Sequence, residues 1–169
     1  MVGHSFGCKL CLACLASDSR AEKQVDSVTL LQAAVSHLCF APQVKELKGK
    51  GGAYAEATKR VRGCISVTYT PNDKALAMAY PNASHAAGQV AELPGRKYQL
   101  GQEVYRALGA CGVAGCKDVP TCDLGPVGCV YTLGRGLNGF NATKVISSHS
   151  DIRKEEVAWL IWSTARYRP

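Results

Sequence analysis

Apolar positions along the chain fall into helical and strand-like stretches joined by Gly- and Pro-rich segments. Val25, Val28, Leu31, Val35 and Leu38 recur at helical spacing, while Glu22, Lys23, Asp26 and Gln32 fall mainly on other faces. With Asp18 or Ser19 as a cap and Pro42 as a stop, this spacing predicts a helix from about residue 18 to 40. Residues 64–70 then switch to the β-formers Ile, Val, Thr and Tyr. Pro71-Asn72-Asp73 carries turn chemistry, and residues 75–80 read as the returning strand of a hairpin.

The same outline recurs downstream. Residues 128–133 echo the Gly-Cys start of the first strand, Leu137-Asn138-Gly139 supplies a turn, and residues 141–147 read as a return. Each unit ends in Ser-His, at Ser84-His85 and Ser148-His149, before a helix-like segment. Residues 98–108 have helical spacing, and a last helix is capped by Ser150 or Asp151 and runs to Arg166. Glu155 and Glu156 near its start, with Arg166 and Arg168 at its end, suit the helix dipole. The predicted fold class is α+β: a small single domain with two β-hairpins, arranged as a ββα repeat, packed with about three helices. Its parts are a Cys-rich tip and helix (1–42), a basic Gly-rich connector (43–62) and an α+β domain (63–169).

A chain of 169 residues, 47% apolar and 20% charged, has the makings of one folded core, and its 7% aromatic content means that small side chains fill it. No stretch approaches the roughly 20 apolar residues of a transmembrane helix. The net charge of +7 favours anionic neighbours. The connector concentrates that charge, with Lys48, Lys50, Lys59, Arg60 and Arg62 among flexible glycines, and offers a surface to nucleic acid, lipid or an acidic protein. Trp159 and Trp162, three residues apart, are candidate anchors for a partner protein, the alternative being that they complete a core otherwise poor in aromatics.

The cysteines number nine, so full internal pairing is excluded. Cys8, Cys11 and Cys14 have the C-x2-C-x2-C spacing of a metal or cluster loop, without the expected fourth cysteine and proline. The surrounding MVGHSFGCKLCLACLAS also passes as a poor signal peptide, with a short apolar run behind few charges. Cys111, Cys116, Cys122 and Cys129 lie in a Gly/Pro-rich elbow, where Cys111–Cys116 and Cys122–Cys129 are candidate local disulfides. Asn82-Ala-Ser and Asn141-Ala-Thr are glycosylation sequons and, with those disulfides, suit a secreted protein.

Neither a nucleophile elbow nor a paired-histidine zinc helix is read from the chain. Adjacent serine and histidine, as in Ser148-His149, make a poor nucleophile–base pair, and Cys64 with His149 is the remaining combination. These features lead to the expectation of a non-enzymatic accessory or structural subunit of a larger assembly. It would need no cofactor and would sit in the mitochondrion or cytosol. A secreted disulfide-bonded binding domain and a Cys/His metal-binding module are the alternatives.

Overall fold

A strand packed on both faces shows no alternation of apolar and polar positions. Val28–Leu31 is such a strand, with all four residues buried. The structure, a computed structural model, describes residues 1–17, 25–90, 92–94 and 102–169. Its strands are β1 (Val2–His4), β2 (Val28–Leu31), β3 (Cys64–Tyr69), β4 (Gln89–Val90), β5 (Leu93–Pro94), β6 (Thr121–Asp123) and β7 (Gly136–Asn141). Five of them form one sheet in the order β1-β2-β3-β7-β6, every neighbouring pair parallel, and β4 and β5 make a small antiparallel pair. The helices are α1 (Phe6–Ala16), α2 (Tyr80–Ala87), α3 (Leu108–Cys111) and α4 (Glu155–Arg166).

The sheet has a core on each face. On one, Cys8, Leu12 and Leu15 of α1 pack with Val28, Leu30, Ile65 and Val67. On the other, Val157 and Leu160 of α4 pack with Leu31, Phe140 and Ile146. Thr164 of α4 donates from Oγ1 to Ser66 Oγ at 2.7 Å, which satisfies two buried hydroxyls in that second layer. Removing a fully buried leucine such as Leu12 or Leu160 would cost about 2–5 kcal/mol.

The architecture is therefore α/β, and it corrects the hairpin expectation. Residues 64–69 are a strand as predicted, but the chain beyond Pro71 turns into a π-helical turn, Ala75–Ala79, that runs on into α2. Asp73 Oδ1 accepts the Leu76 N–H at 3.1 Å, so the turn residue starts a helix instead of closing a hairpin. In the second unit, Asn138-Gly139 lies inside β7, parallel to β3. A Cβ at Gly139 would stand 2.8 Å from Thr121 Oγ1, so glycine serves the close approach of β6 there. The expected helix over 18–40 is also corrected: from residue 25 on, the chain forms β2 and a buried loop. Its first part, 18–24, lies outside the described residues, as does 98–101 of the helix expected over 98–108.

In a parallel sheet, the loops after the carboxyl ends of the strands meet on one side, where ligands bind. Ser5 follows β1, Gln32 follows β2, Asp73 follows β3, and His149 lies on the connection after β7.

Candidate catalytic site

Gly3-His4-Ser5-Phe6-Gly7 carries the chain from β1 into α1. Ser5 occupies the turn with φ 54° and ψ −126°, a region that strains any residue with a side chain. The fold holds it there. Its N–H donates to Leu31 O at 3.1 Å, and its carbonyl accepts from Cys8 N–H at 3.1 Å and Ala34 N–H at 3.2 Å. The turn is so tight that a Cβ at Gly3 would lie 2.9 Å from both Cys8 Cα and Cys8 N. Gly7 meets no such limit, since a Cβ there has nothing within 4 Å.

The connection after β7 delivers His149 to the same point. Asp151 Oδ2 accepts from the Ser147 N–H at 2.9 Å and the Ser147 hydroxyl at 2.8 Å, shaping the loop around the histidine. His149 Nδ1 lies 2.7 Å from Asp73 Oδ2, and Nε2 lies 2.7 Å from Ser5 Oγ. A carboxylate only accepts, so the imidazole proton is assigned to Nδ1, and Nε2 receives the Ser5 hydroxyl. His4 supports the loop from below: its Nε2 is 2.9 Å from the His149 carbonyl, and the two rings tilt together at 5.0 Å.

Asp73 is fully buried, and the network around it is saturated. Its Oδ2 also takes Gln32 Nε2 at 3.3 Å. Gln32, itself fully buried and at φ 43°, donates to Gly109 O at 3.2 Å and accepts from Thr68 Oγ1 at 3.0 Å. Thr68 Oγ1 accepts the Gln32 N–H in return, at 3.1 Å. A relay of Thr68, Gln32, Asp73, His149 and Ser5 therefore runs across the ends of β1, β2 and β3, with each buried polar group partnered. Beside Ser5 and His149 opens a trough of about 280 Å³, walled by Phe6, Ala34, Ala75, Leu76, Ala79, Tyr80 and Ala83.

The site residues expected from sequence lie elsewhere. Cys8, Cys11 and Cys14 are on α1, with Cys8 buried and Cys14 exposed. Burial pushes the Cys8 thiol up to about 12 and raises Cys11 as well. Among the described residues, no group of three or more His, Cys, Asp or Glu side chains is placed to hold a metal. Cys111, Cys116, Cys122 and Cys129 are free thiols; the first two line one cavity and the last two another. Lys48 and Lys50 are exposed, Lys59 pairs with Glu56 at 2.6 Å, and Arg62 pairs with Asp26 at 3.1 Å. Arg60 ends a short 3-10 turn. Trp159 donates to Cys129 O at 2.8 Å, while Trp162 is exposed beneath the Arg166 guanidinium. Among the described residues, no helix is long and apolar enough to cross a membrane.

The structure joins His149 to Ser5 and Asp73, while the Cys64 thiol donates to Thr164 O at 3.7 Å. The serine is 144 residues away from His149 and the aspartate 76, separations that only the fold closes. A local signal for the serine exists that the expectation of no nucleophile elbow overlooked: Gly3-His4-Ser5-Phe6-Gly7 fits G-x-S-x-G. Asp73 and Gln32 carried no local signal beyond turn and helix-face polarity. None of the family models, curated proteins and solved structures compared with this chain matches it.

Proposed function

We propose that this chain is a serine hydrolase acting on carboxylic esters, with Ser5 as nucleophile, His149 as general base and Asp73 as its orienting carboxylate. The observation that carries the proposal is the pair of 2.7 Å contacts joining Ser5 Oγ, the two ring nitrogens of His149 and Asp73 Oδ2. It is supported by the strained strand–Ser–helix turn, the order Ser, Asp, His along the chain and the placement after parallel strands, all features of nucleophile elbows in α/β-hydrolases.

In the proposed reaction, Ser5 Oγ attacks the ester carbonyl carbon as its proton passes to His149 Nε2. The imidazolium so formed is stabilised by Asp73. Charge develops on the carbonyl oxygen beside the start of α1, where the Phe6 N–H follows the nucleophile and has no intrahelical acceptor. The alcohol leaves with the proton from Nε2. Water, deprotonated by the same nitrogen, then cleaves the Ser5 ester to release the acid and restore the hydroxyl.

The test is labelling by a fluorophosphonate, read by intact mass and peptide mapping, alongside p-nitrophenyl acetate hydrolysis. One adduct on Ser5 is expected, absent in Ser5→Ala and strongly slowed in His149→Ala. A folded protein that takes no label and hydrolyses the ester no faster than Ser5→Ala refutes the reading. A second reading, the non-enzymatic subunit, is favoured by exposed Trp162 at 53% accessibility. Under it, Trp162→Ala abolishes capture of a partner protein while Ser5 stays inert.

A further inference from the structure

The trough beside Ser5 has a chemical character of its own. Leu76, 3% exposed, lies between the trough and the core cluster of Ala34 and Ala107. Ala75, Ala79 and Ala83 recur every four residues along the π-helical turn and α2, and their side chains are too short to fill the space. Tyr80 completes the wall with its hydroxyl committed elsewhere: it donates to Glu92 Oε1. Glu92, whose side chain is 2% exposed, is neutralised by Lys9 Nζ at 2.5 Å and accepts the Ser36 N–H at 2.8 Å. Among the described residues and apart from the Ser5–His149 pair, the trough presents no charged side chain and no free side-chain donor.

Resting on the hydrolase reading, we infer that this trough binds an uncharged apolar chain of the ester, and that Ala75, Ala79 and Ala83 set the chain length it accepts. A charged chain would lose its hydration there and find no counter-ion. A methylene that leaves water for the trough contributes about a fourfold gain in kcat/KM, and the gain ends where the trough ends. The chain belongs to either the acyl or the alcohol side of the ester; the chemistry of recognition is the same.

The experiment is kcat/KM for two ester series, p-nitrophenyl acetate to octanoate and methyl to octyl acetate, on the wild-type chain and on Ala79→Leu and Ala83→Leu. In one series kcat/KM is expected to climb by about fourfold per methylene and then level off. The leucine variants should cut the longest ester of that series at least about tenfold more than its shortest member, and the half-ester of a dicarboxylic acid should fall well below the neutral ester of equal length. The series that responds identifies the side of the ester held. Acetate hydrolysis with Ser5 labelling, but flat profiles in both series and no change in the variants, overturns this inference alone. An inert Ser5 overturns the hydrolase reading and this inference with it. Circular dichroism of each variant confirms folding, and the exposed positions of Ala79 and Ala83 make that the expected result.

Discussion

Replacing Asp73 by Asn exchanges one oxygen for an NH2 at a fully buried position and removes the charge. Oδ1 accepts the Leu76 N–H, and Oδ2 accepts from His149 Nδ1 and, at 3.3 Å, from Gln32 Nε2. The amide has a single oxygen for these donors. If it turns toward His149, the Leu76 N–H faces an NH2, and an unsatisfied buried donor costs about 1–3 kcal/mol. If it stays with Leu76, the NH2 faces the imidazole, which adapts by moving its proton from Nδ1 to Nε2. That exchange needs only water, and the long Gln32 contact is the weaker loss, so the second arrangement should prevail. Nε2–H then points at Ser5 Oγ and the base is gone. The expected fall in kcat for p-nitrophenyl acetate is about 10³–10⁴-fold, or about 4–5.5 kcal/mol of transition-state stabilisation. Thermal unfolding should shift by only about 2–4 °C per kcal/mol of lost contact, leaving the variant folded at assay temperature. A folded Asp73→Asn protein with kcat within about tenfold of wild type would refute the assignment of His149 and Asp73.

Gly3→Ala places a methyl against the α1 backbone at 2.9 Å, which flexible side chains cannot relieve. It should destabilise by about 1–3 kcal/mol in chemical denaturation and lower esterase activity by displacing Ser5, whereas Gly7→Ala should leave stability within about 0.5 kcal/mol. In the native protein at pH 8, iodoacetamide should modify exposed Cys14 and spare Cys8, whose thiol burial pushes up to about 12. Mass spectrometry that finds both equally alkylated would contradict the packing of α1. The hydrogen bonds from Ser147, together with Lys154, hold Asp151 below the usual carboxylate range, at about 2. Its contribution to the His149 loop is thus complete above the unfolded value of about 3.9 and is lost as pH falls toward 2. Hydrogen exchange at the Ser147 amide should accelerate between those limits and, in Asp151→Asn, be fast at all pH values.

How far the chain could be read follows from the range of the interactions involved. The last helix was legible because its determinants are local: Val157, Leu160 and Thr164 share a buried face, with Glu155 and Glu156 in the first turn and Arg166 in the last. The strand at Cys64–Tyr69 was legible from its β-branched residues. Strand pairing was not. A parallel partner arrives only after a long crossover, so nothing next to residues 64–69 marks Gly136–Asn141 as the neighbour, whereas Pro71-Asn72-Asp73 and Asn138-Gly139 imitate hairpin turns. β2 failed in the opposite way. Buried on both faces, it offered Val28 and Leu31 to a helical period that residues 33–38, a buried loop, happened to continue.

The candidate site divides along the same line. Its serine lay in a five-residue pattern whose physical demands are local: a strained turn at Ser5 and no room for a side chain at Gly3. Its histidine and aspartate are ordinary loop residues until the sheet sets the ends of β1, β2, β3 and β7 side by side. Gln32 shows why such a site resists pattern reading. A glutamine at φ 43° with zero exposure is unfavourable on its own terms, and it persists because Thr68, Gly109 and Asp73 together consume its polar atoms. Two strained residues, Ser5 and Gln32, thus stand at the ends of neighbouring strands and converge on one buried carboxylate. That convergence makes preorganisation of His149 a better account of the strain than packing alone, because packing would be served as well by apolar side chains in relaxed backbone.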